Sequence, residues 1–71
     1  MDASGAQALA LNKFIEQCLE LIRMNATSFK SHTLVPLHSE MDKRILKDGK
    51  KSLEERGYSV EEVGYYLRIK W

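Results

Sequence analysis

The feature that most constrains the fold is the alternation of apolar and polar side chains in the last fourteen residues, Tyr58 to Trp71. Successive side chains of a strand point to opposite faces, so this pattern predicts strands with one buried face. Past Gly64, the predicted inward side chains are Tyr65, Leu67, Ile69 and Trp71, and the outward ones are Tyr66, Arg68 and Lys70. We therefore predict a β-hairpin whose apolar face the rest of the chain covers, with Gly64 providing the backbone freedom of the turn.

The length of 71 residues is enough for one domain with one small core, spanning residues 1 to 71. The net charge of +1 provides no overall attraction to nucleic acid or to a membrane. The single cysteine, Cys18, cannot form an internal disulfide, which suits a reducing compartment. The first residues lack the basic segment of a signal peptide, and no stretch approaches the roughly 18 apolar residues of a membrane span. We expect a cytoplasmic protein without a membrane partner.

A helix is predicted near the N-terminus, after residues 1 to 4, which we expect to be frayed. Ser4 and Gln7 have the spacing of a capping box, and the polar run 25 to 28 is suited to ending the helix. Apolar residues recur at helical spacing and predict one buried stripe, made of Leu11, Phe14, Ile15, Cys18 and Ile22. On this stripe Cys18 is predicted to be a buried, inert thiol.

A short strand and a second helix are predicted in the middle of the chain. Residues 31 to 37 favour a strand, and Pro36 confines it to an edge of the sheet or ends it, because proline cannot donate to a ladder. Ser39 is the predicted N-cap of a helix from about residue 40 to residue 56, and Gly57 is the predicted residue after its C-cap. The predicted inner stripe of this helix is Met41, Ile45, Gly49 and Leu53.

Glycine in the middle of a helical stripe has two interpretations. Gly49 either allows a close approach to the sheet or to the first helix, or it breaks the helix at Asp48 and Gly49. With the helix intact, the order α-β-α-β-β predicts an α+β fold. We expect a three-stranded sheet with the last strand in the middle, the Pro36 strand on one edge, and both helices packed on one face.

Lysines form an outer sector of the second helix, at Lys43, Lys47 and Lys50. One interpretation is a phosphate-contacting patch. The other is a solvated face held by pairs four residues apart, Lys50 with Glu54 and Lys51 with Glu55.

The outward side chains of the last strand, Tyr66, Arg68 and Lys70, are the candidate partner-binding residues. Aromatic and basic groups on an open sheet face can stack bases and hold phosphates, and Tyr and Arg are also enriched in protein interfaces. An ordinary exposed sheet face is the third interpretation. His32 and His38 have no other ligand types nearby, and no nucleophile or phosphate-loop motif is present, so we predict no metal, no cofactor and no catalysis.

Two runs resemble small phage-encoded proteins, mostly of unknown function, in which a helix ends in a Gly-Tyr-x-Val strand and a hairpin closes on x-Ile-x-Trp. The runs are Leu53 to Val60 and Tyr65 to Trp71, and the similarity covers residues 39 to 71. The resemblance implies a compact α+β accessory or virion protein without catalysis, located in the host cytoplasm or the virion. It carries no known active residues to transfer.

We therefore expect a small non-catalytic binding protein that contacts a host or virion protein, as a monomer or a homodimer. The alternative is a nucleic-acid-binding module that uses the lysine sector of the second helix together with the outward face of the last strand.

Overall fold

The computed structural model of the protein describes residues 2 to 71, so the expectation that Met1 is frayed lies outside the described residues. The order α-β-α-β-β and the α+β class are confirmed. The elements are α1 (Ala3–Thr27), β1 (His32–Pro36), α2 (Lys43–Glu55), β2 (Ser59–Val63) and β3 (Tyr66–Lys70). Within residues 2 to 71, neither helix combines the length and apolar content that crossing a bilayer requires.

The three strands form one antiparallel sheet in the order β1-β3-β2, with the last strand in the middle as predicted. Pro36 lies on the edge strand β1, opposite Tyr66. The Leu37 N–H donates to the Tyr65 carbonyl, so Leu37 and Tyr65 form a hydrogen-bonded pair. Hydrogen-bonded and non-hydrogen-bonded pairs alternate along an antiparallel ladder, so the next pair, Pro36 with Tyr66, is not hydrogen-bonded. The N–H that Pro36 lacks would point away from β3, and the proline therefore removes no hydrogen bond from the sheet.

A two-residue turn, Gly64 and Tyr65, joins β2 to β3. Gly64 has a φ of 60°, which the first central position of such a hairpin turn requires. Tyr65 lies in the turn and is 82% exposed, so the prediction that it shares the inner face with Leu67 is wrong. The alternation of strand side chains does not extend into a turn.

Both helices pack on one face of the sheet, α1 over β1 and α2 over β2. Their predicted stripes form the core with alternate residues of the strands; its buried members are Phe14, Cys18, Ile22, Val35, Ile45, Gly49, Leu53, Leu67 and Ile69. Leu11, Ile15 and Met41 are half-buried at the margin. Burial raises the pKa of the Cys18 thiol to about 11, so it stays protonated and unreactive at neutral pH.

Gly49 lies close to the first helix. A Cβ at this position would lie 2.6 Å from two ring carbons of Phe14, whereas ordinary van der Waals contact begins near 3.4 Å. The helix continues unbroken through the glycine to Glu55. The interpretation of Gly49 as a close-approach residue is therefore confirmed, and the first helix is the neighbour.

Both helices begin at aspartates and not at the predicted serines. Asp2 caps α1 by accepting from the Gly5 N–H at 2.7 Å, so Ser4 lies inside the helix and is not its cap. Asp42 caps α2 by accepting from the Arg44 N–H at 2.8 Å. Hydrogen bonds from Arg44 lower the pKa of the Asp42 carboxyl. A carboxylate caps as well as a hydroxyl and adds a favourable charge at the positive helix end, which explains why Ser39 is not the cap.

Both helices end in the same hydrogen-bonded motif, with different residues at the left-handed position. At the end of α2, Gly57 has a φ of 95°, its N–H donates to Glu54, and the next N–H donates to Leu53. At the end of α1, Phe29 occupies the equivalent position with a φ of 64°. Glycine carries no Cβ penalty there, whereas phenylalanine does, so the predicted role of Gly57 is confirmed and Phe29 is strained.

Trp71 is 41% exposed, so the prediction that it is substantially buried against the first helix is wrong. It lies one residue past β3, and its N–H donates to the carbonyl of Ser31, a loop residue before β1. The last buried residue of α1 is Ile22, so the helical cover of the core ends before the end of the sheet is reached.

Candidate functional site

The face of the sheet that carries no helix presents nine side chains, three from each strand, which we call the open face. The strand registers place them in three cross-strand rows. The rows are Pro36–Tyr66–Val63 beside the hairpin turn, Leu34–Arg68–Glu61 in the middle, and His32–Lys70–Ser59 at the far end. The three predicted partner-binding residues, Tyr66, Arg68 and Lys70, are thus brought together as the central column of this face.

The row beside the turn is apolar and accessible. Tyr66 is 47% exposed and is flanked by Pro36 and by Val63, which is 43% exposed. Leu34, one row further along, is 48% exposed. Large apolar side chains on three adjacent strands therefore lie side by side and open to solvent on this face.

The middle row is organised around Arg68, which is half-buried. Its Nη2 atom donates to the carboxylate of Glu61 on β2, while Leu34 lies on its other side on β1. The Nε atom is covered and has no hydrogen-bond partner within the described residues. The guanidinium therefore lies against a neighbouring carboxylate that compensates its charge.

The far row is polar and exposed. Lys70 lies between His32 and Ser59, and all three are open to solvent. With Arg68 compensated by Glu61, Lys70 is the cation of this face that has no ion pair among residues 2 to 71. The open face therefore grades from an apolar end at the turn to a weakly cationic end.

The lysine sector of α2 lies on the other side of the molecule. Lys43 and Lys47 are exposed and Lys50 is half-buried, on the part of α2 that points away from the core. In residues 2 to 71, the predicted pairs of Lys50 with Glu54 and Lys51 with Glu55 are not formed; the ion pairs are Arg23–Glu20, Arg44–Asp42 and Arg68–Glu61. Because the sheet and the core separate the lysine sector from the open face, the two basic groups do not form one surface.

An open groove runs between α1 and the edge strand β1. Its volume is about 610 Å³, and its walls include Lys13, Glu16 and Glu20 from α1, with Val35 and Pro36 from β1. The walls hold charges of both signs, and within residues 2 to 71 no three His, Cys, Asp or Glu residues lie close enough together to hold a metal ion. The groove is therefore an open channel on the surface with charged and apolar walls.

Sequence reasoning did not identify the six neighbours of the predicted residues on the open face, which are His32, Leu34, Pro36, Ser59, Glu61 and Val63. The alternation in each strand indicates which side chains share a face, but it does not align one strand with another. The turn at Gly64 aligns β2 with β3, and the hydrogen-bonded ladder between β1 and β3 aligns those two strands. A charge pair such as Arg68 with Glu61, directly opposite across a hairpin with a two-residue turn, is the signal that could have revealed part of it.

Comparison of the chain with protein-family models, with curated proteins and with solved structures found no match to any of the three.

Proposed function

We propose that this protein is a small non-catalytic binding protein that holds a partner protein on its open face, with Tyr66 and Arg68 as the anchors. The observation that carries the proposal is the position of a half-exposed Tyr66 in an apolar row directly beside an Arg68 that is already held by Glu61. Tyr and Arg are the residue types that most often dominate binding energy in protein interfaces.

The arrangement favours tight contact for a physical reason. Binding normally orders flexible side chains, at about 0.5–1.5 kcal/mol for each long one. Arg68 is half-buried and paired before any partner arrives, so less of this entropy remains to be lost. Tyr66 can bury its ring against a partner while its hydroxyl finds a polar group at the margin.

The nucleic-acid alternative has weaker support. It needs the lysine sector and the open face to act together, but the two lie on opposite sides of the core. The net charge is +1, and Arg68 is compensated by Glu61. Affinity for duplex or single-stranded DNA that falls steeply with added salt, and that is lost on replacing Lys43 and Lys47, would favour this alternative.

The resemblance of residues 39 to 71 to small phage-encoded proteins supports a specific setting for this proposal. The partner would be a host protein met in the host cytoplasm, or another protein of the virion. The proposed role requires neither a cofactor nor a catalytic group from this chain.

The test compares partner capture by the wild type and by Tyr66→Ala with Arg68→Ala. The tagged protein is used to isolate partners from a host lysate, and the affinity for each purified candidate is then measured by calorimetry. Removing two anchors is expected to weaken binding by about thirtyfold or more, the equivalent of about 2 kcal/mol. Circular dichroism of the double variant checks that the fold is retained.

The matched control is Lys43→Ala with Lys47→Ala, which truncates two exposed long side chains on the far side of the core. It is expected to bind the partner with unchanged affinity. Wild-type affinity of the Tyr66→Ala, Arg68→Ala variant would show that the open face is not the binding site.

A further inference from the structure

Helix α1 is longer than the body it packs on. Its 25 residues extend over about 37 Å at 1.5 Å per residue, in a molecule whose dimensions are 41 × 22 × 18 Å. Its buried residues are confined to Phe14, Cys18 and Ile22. More than two turns at the N-terminal end and one turn at the C-terminal end therefore contribute no buried side chain to the core.

One exposed stripe runs along α1 from Leu9 to Met24, on the side away from the core; we call it the α1 stripe. At 100° per residue its members fall within a sector of about 100°. They are Leu9, Lys13, Glu16, Gln17, Glu20 and Met24, and all six are exposed. Leu9 is 51% exposed and Met24 is 54% exposed, so a large apolar side chain stands in solvent near each end.

The side chains of the α1 stripe, taken from one end, are complementary to the same side chains taken from the other end. Two copies of α1 laid antiparallel, with the twofold axis between Glu16 and Gln17, bring Leu9 of each copy against Met24 of the other. The same alignment brings Lys13 against Glu20 and Glu16 against Gln17. A parallel alignment in register would instead place Lys13 beside Lys13 and Glu20 beside Glu20, which is repulsive.

We propose that the α1 stripe binds a second copy of this chain, forming an antiparallel, twofold-symmetric dimer. Leu9 meets Met24, Lys13 meets Glu20, and Glu16 meets the neutral amide of Gln17, so the patch complements itself as a twofold interface requires. A helix lying on the stripe also covers the groove beside β1, since Lys13, Glu16 and Glu20 form one wall of that groove.

Glu20 already contacts Arg23 of its own helix, at 2.7 Å. Both side chains are more than half exposed, and solvent screens a surface pair of this kind, so it does not prevent a second contact. In the antiparallel alignment Arg23 faces Ala10 of the other copy, a small residue that leaves it room.

The dimer would go beyond the proposed function, because it uses the helix layer and leaves the open faces of both copies free. The protein would then present two identical binding surfaces. Linking two surfaces raises the strength of attachment to a repetitive or dimeric partner without any new contact.

Analytical ultracentrifugation of the full chain tests the dimer. The wild type is expected to dimerise in low salt, and Lys13→Glu and Glu20→Lys are each expected to weaken the dimer by about tenfold or more, because each creates two like-charge contacts. Combining the two changes restores the opposite pairs and should return the dissociation constant to within about threefold of the wild-type value.

Lys43→Glu, a charge reversal on α2, is the control and should leave the dimer unchanged. A wild type that stays monomeric at millimolar concentration would overturn the proposal. So would a dimer that is insensitive to both single reversals, since association through the open face or the β1 edge does not involve these charges. Neither result would bear on the open-face proposal, whose test is partner affinity.

Discussion

The two faces of the sheet differ sharply although they are made from the same strands. On β3, Leu67 and Ile69 are fully buried beneath the helices, whereas Tyr66, Arg68 and Lys70 alternate with them and meet solvent on the open face. The inner face carries most of the buried apolar contacts, and the open face carries an accessible apolar patch beside a paired arginine. If the open face binds a partner as proposed, stability and binding are separated within five consecutive residues, because neighbouring side chains lie on different faces.

The largest expected difference between the faces is in stability. Leu67→Ala leaves a cavity in the centre of the core and should lower the free energy of unfolding by about 2–5 kcal/mol. In a domain this small, that loss is a large fraction of the total stability. Tyr66→Ala, its neighbour on the open face, should lower it by less than about 1 kcal/mol.

Urea denaturation of the two variants measures both free energies under the same conditions. Equal destabilisation by the two substitutions would contradict the division of roles between the faces. If Tyr66→Ala lowered the free energy of unfolding more than Leu67→Ala, the main core would lie on the open face and not beneath the helices.

The second expected effect concerns how closely the helices cover the inner face. In Gly49→Ala, the new Cβ would lie 2.6 Å from the ring of Phe14. Alanine improves helix propensity by about 1 kcal/mol, but overpacking costs about 1–3 kcal/mol, so we expect a net loss of about 1 kcal/mol.

Phe14→Leu provides the matched background for that test, because it removes the ring that the Cβ would meet. In this background Gly49→Ala should be neutral or stabilising by denaturation. A stabilising effect of Gly49→Ala in the wild-type background would show that the helices are not packed tightly at this point.

Most of the fold could be predicted from the sequence, because apolar residues repeat about every 2 residues in its strands and about every 3.6 residues in its helices. The strict alternation after Gly64 identified β3, and the helical spacing of Phe14, Cys18 and Ile22 identified the buried side of α1. The errors concern places where those periods stop. Tyr65 lies in a turn and Trp71 lies past the last strand residue, so neither follows the alternation that predicted it to be buried.

The candidate site was less predictable for a related reason. Tyr66, Arg68 and Lys70 were identified from one strand, but their neighbours on the open face depend on strand register, which periodicity within one strand does not determine. The pairing of Arg68 with Glu61 changes the electrostatics of the face, and it can be recognised in the sequence only after a two-residue turn at Gly64 is used to align the two strands.

A smaller effect is expected in the loop between α1 and β1, which belongs to neither face of the sheet. Phe29 is 99% exposed and adopts the left-handed conformation that Gly57 adopts at the end of α2. Phe29→Gly should stabilise the protein by up to about 1 kcal/mol, because the removed strain of about 1–2 kcal/mol exceeds the added entropy of the unfolded chain. Thermal denaturation measures the gain, and Gly57→Ala should shift the melting temperature in the opposite direction.

The smallest effect is expected from the lysine sector, which belongs to neither face of the sheet. Replacing Lys43, Lys47 and Lys50 together by Gln should change the free energy of unfolding by well under 1 kcal/mol, because none of the three belongs to an ion pair among residues 2 to 71 and none is fully buried. Partner binding should also be unchanged. Loss of binding in this folded triple variant would favour the nucleic-acid alternative.

The most direct test of the separation between the faces is amide chemical-shift mapping of the ¹⁵N-labelled protein on adding its purified partner. We predict that the largest shifts fall on the three rows of the open face, around Tyr66, Arg68 and Leu34, while the buried stripe of α2 around Leu53 changes little. Shifts confined to the lysine sector of α2 or to the α1 stripe, with the open face unchanged, would contradict the proposal that the partner binds the open face.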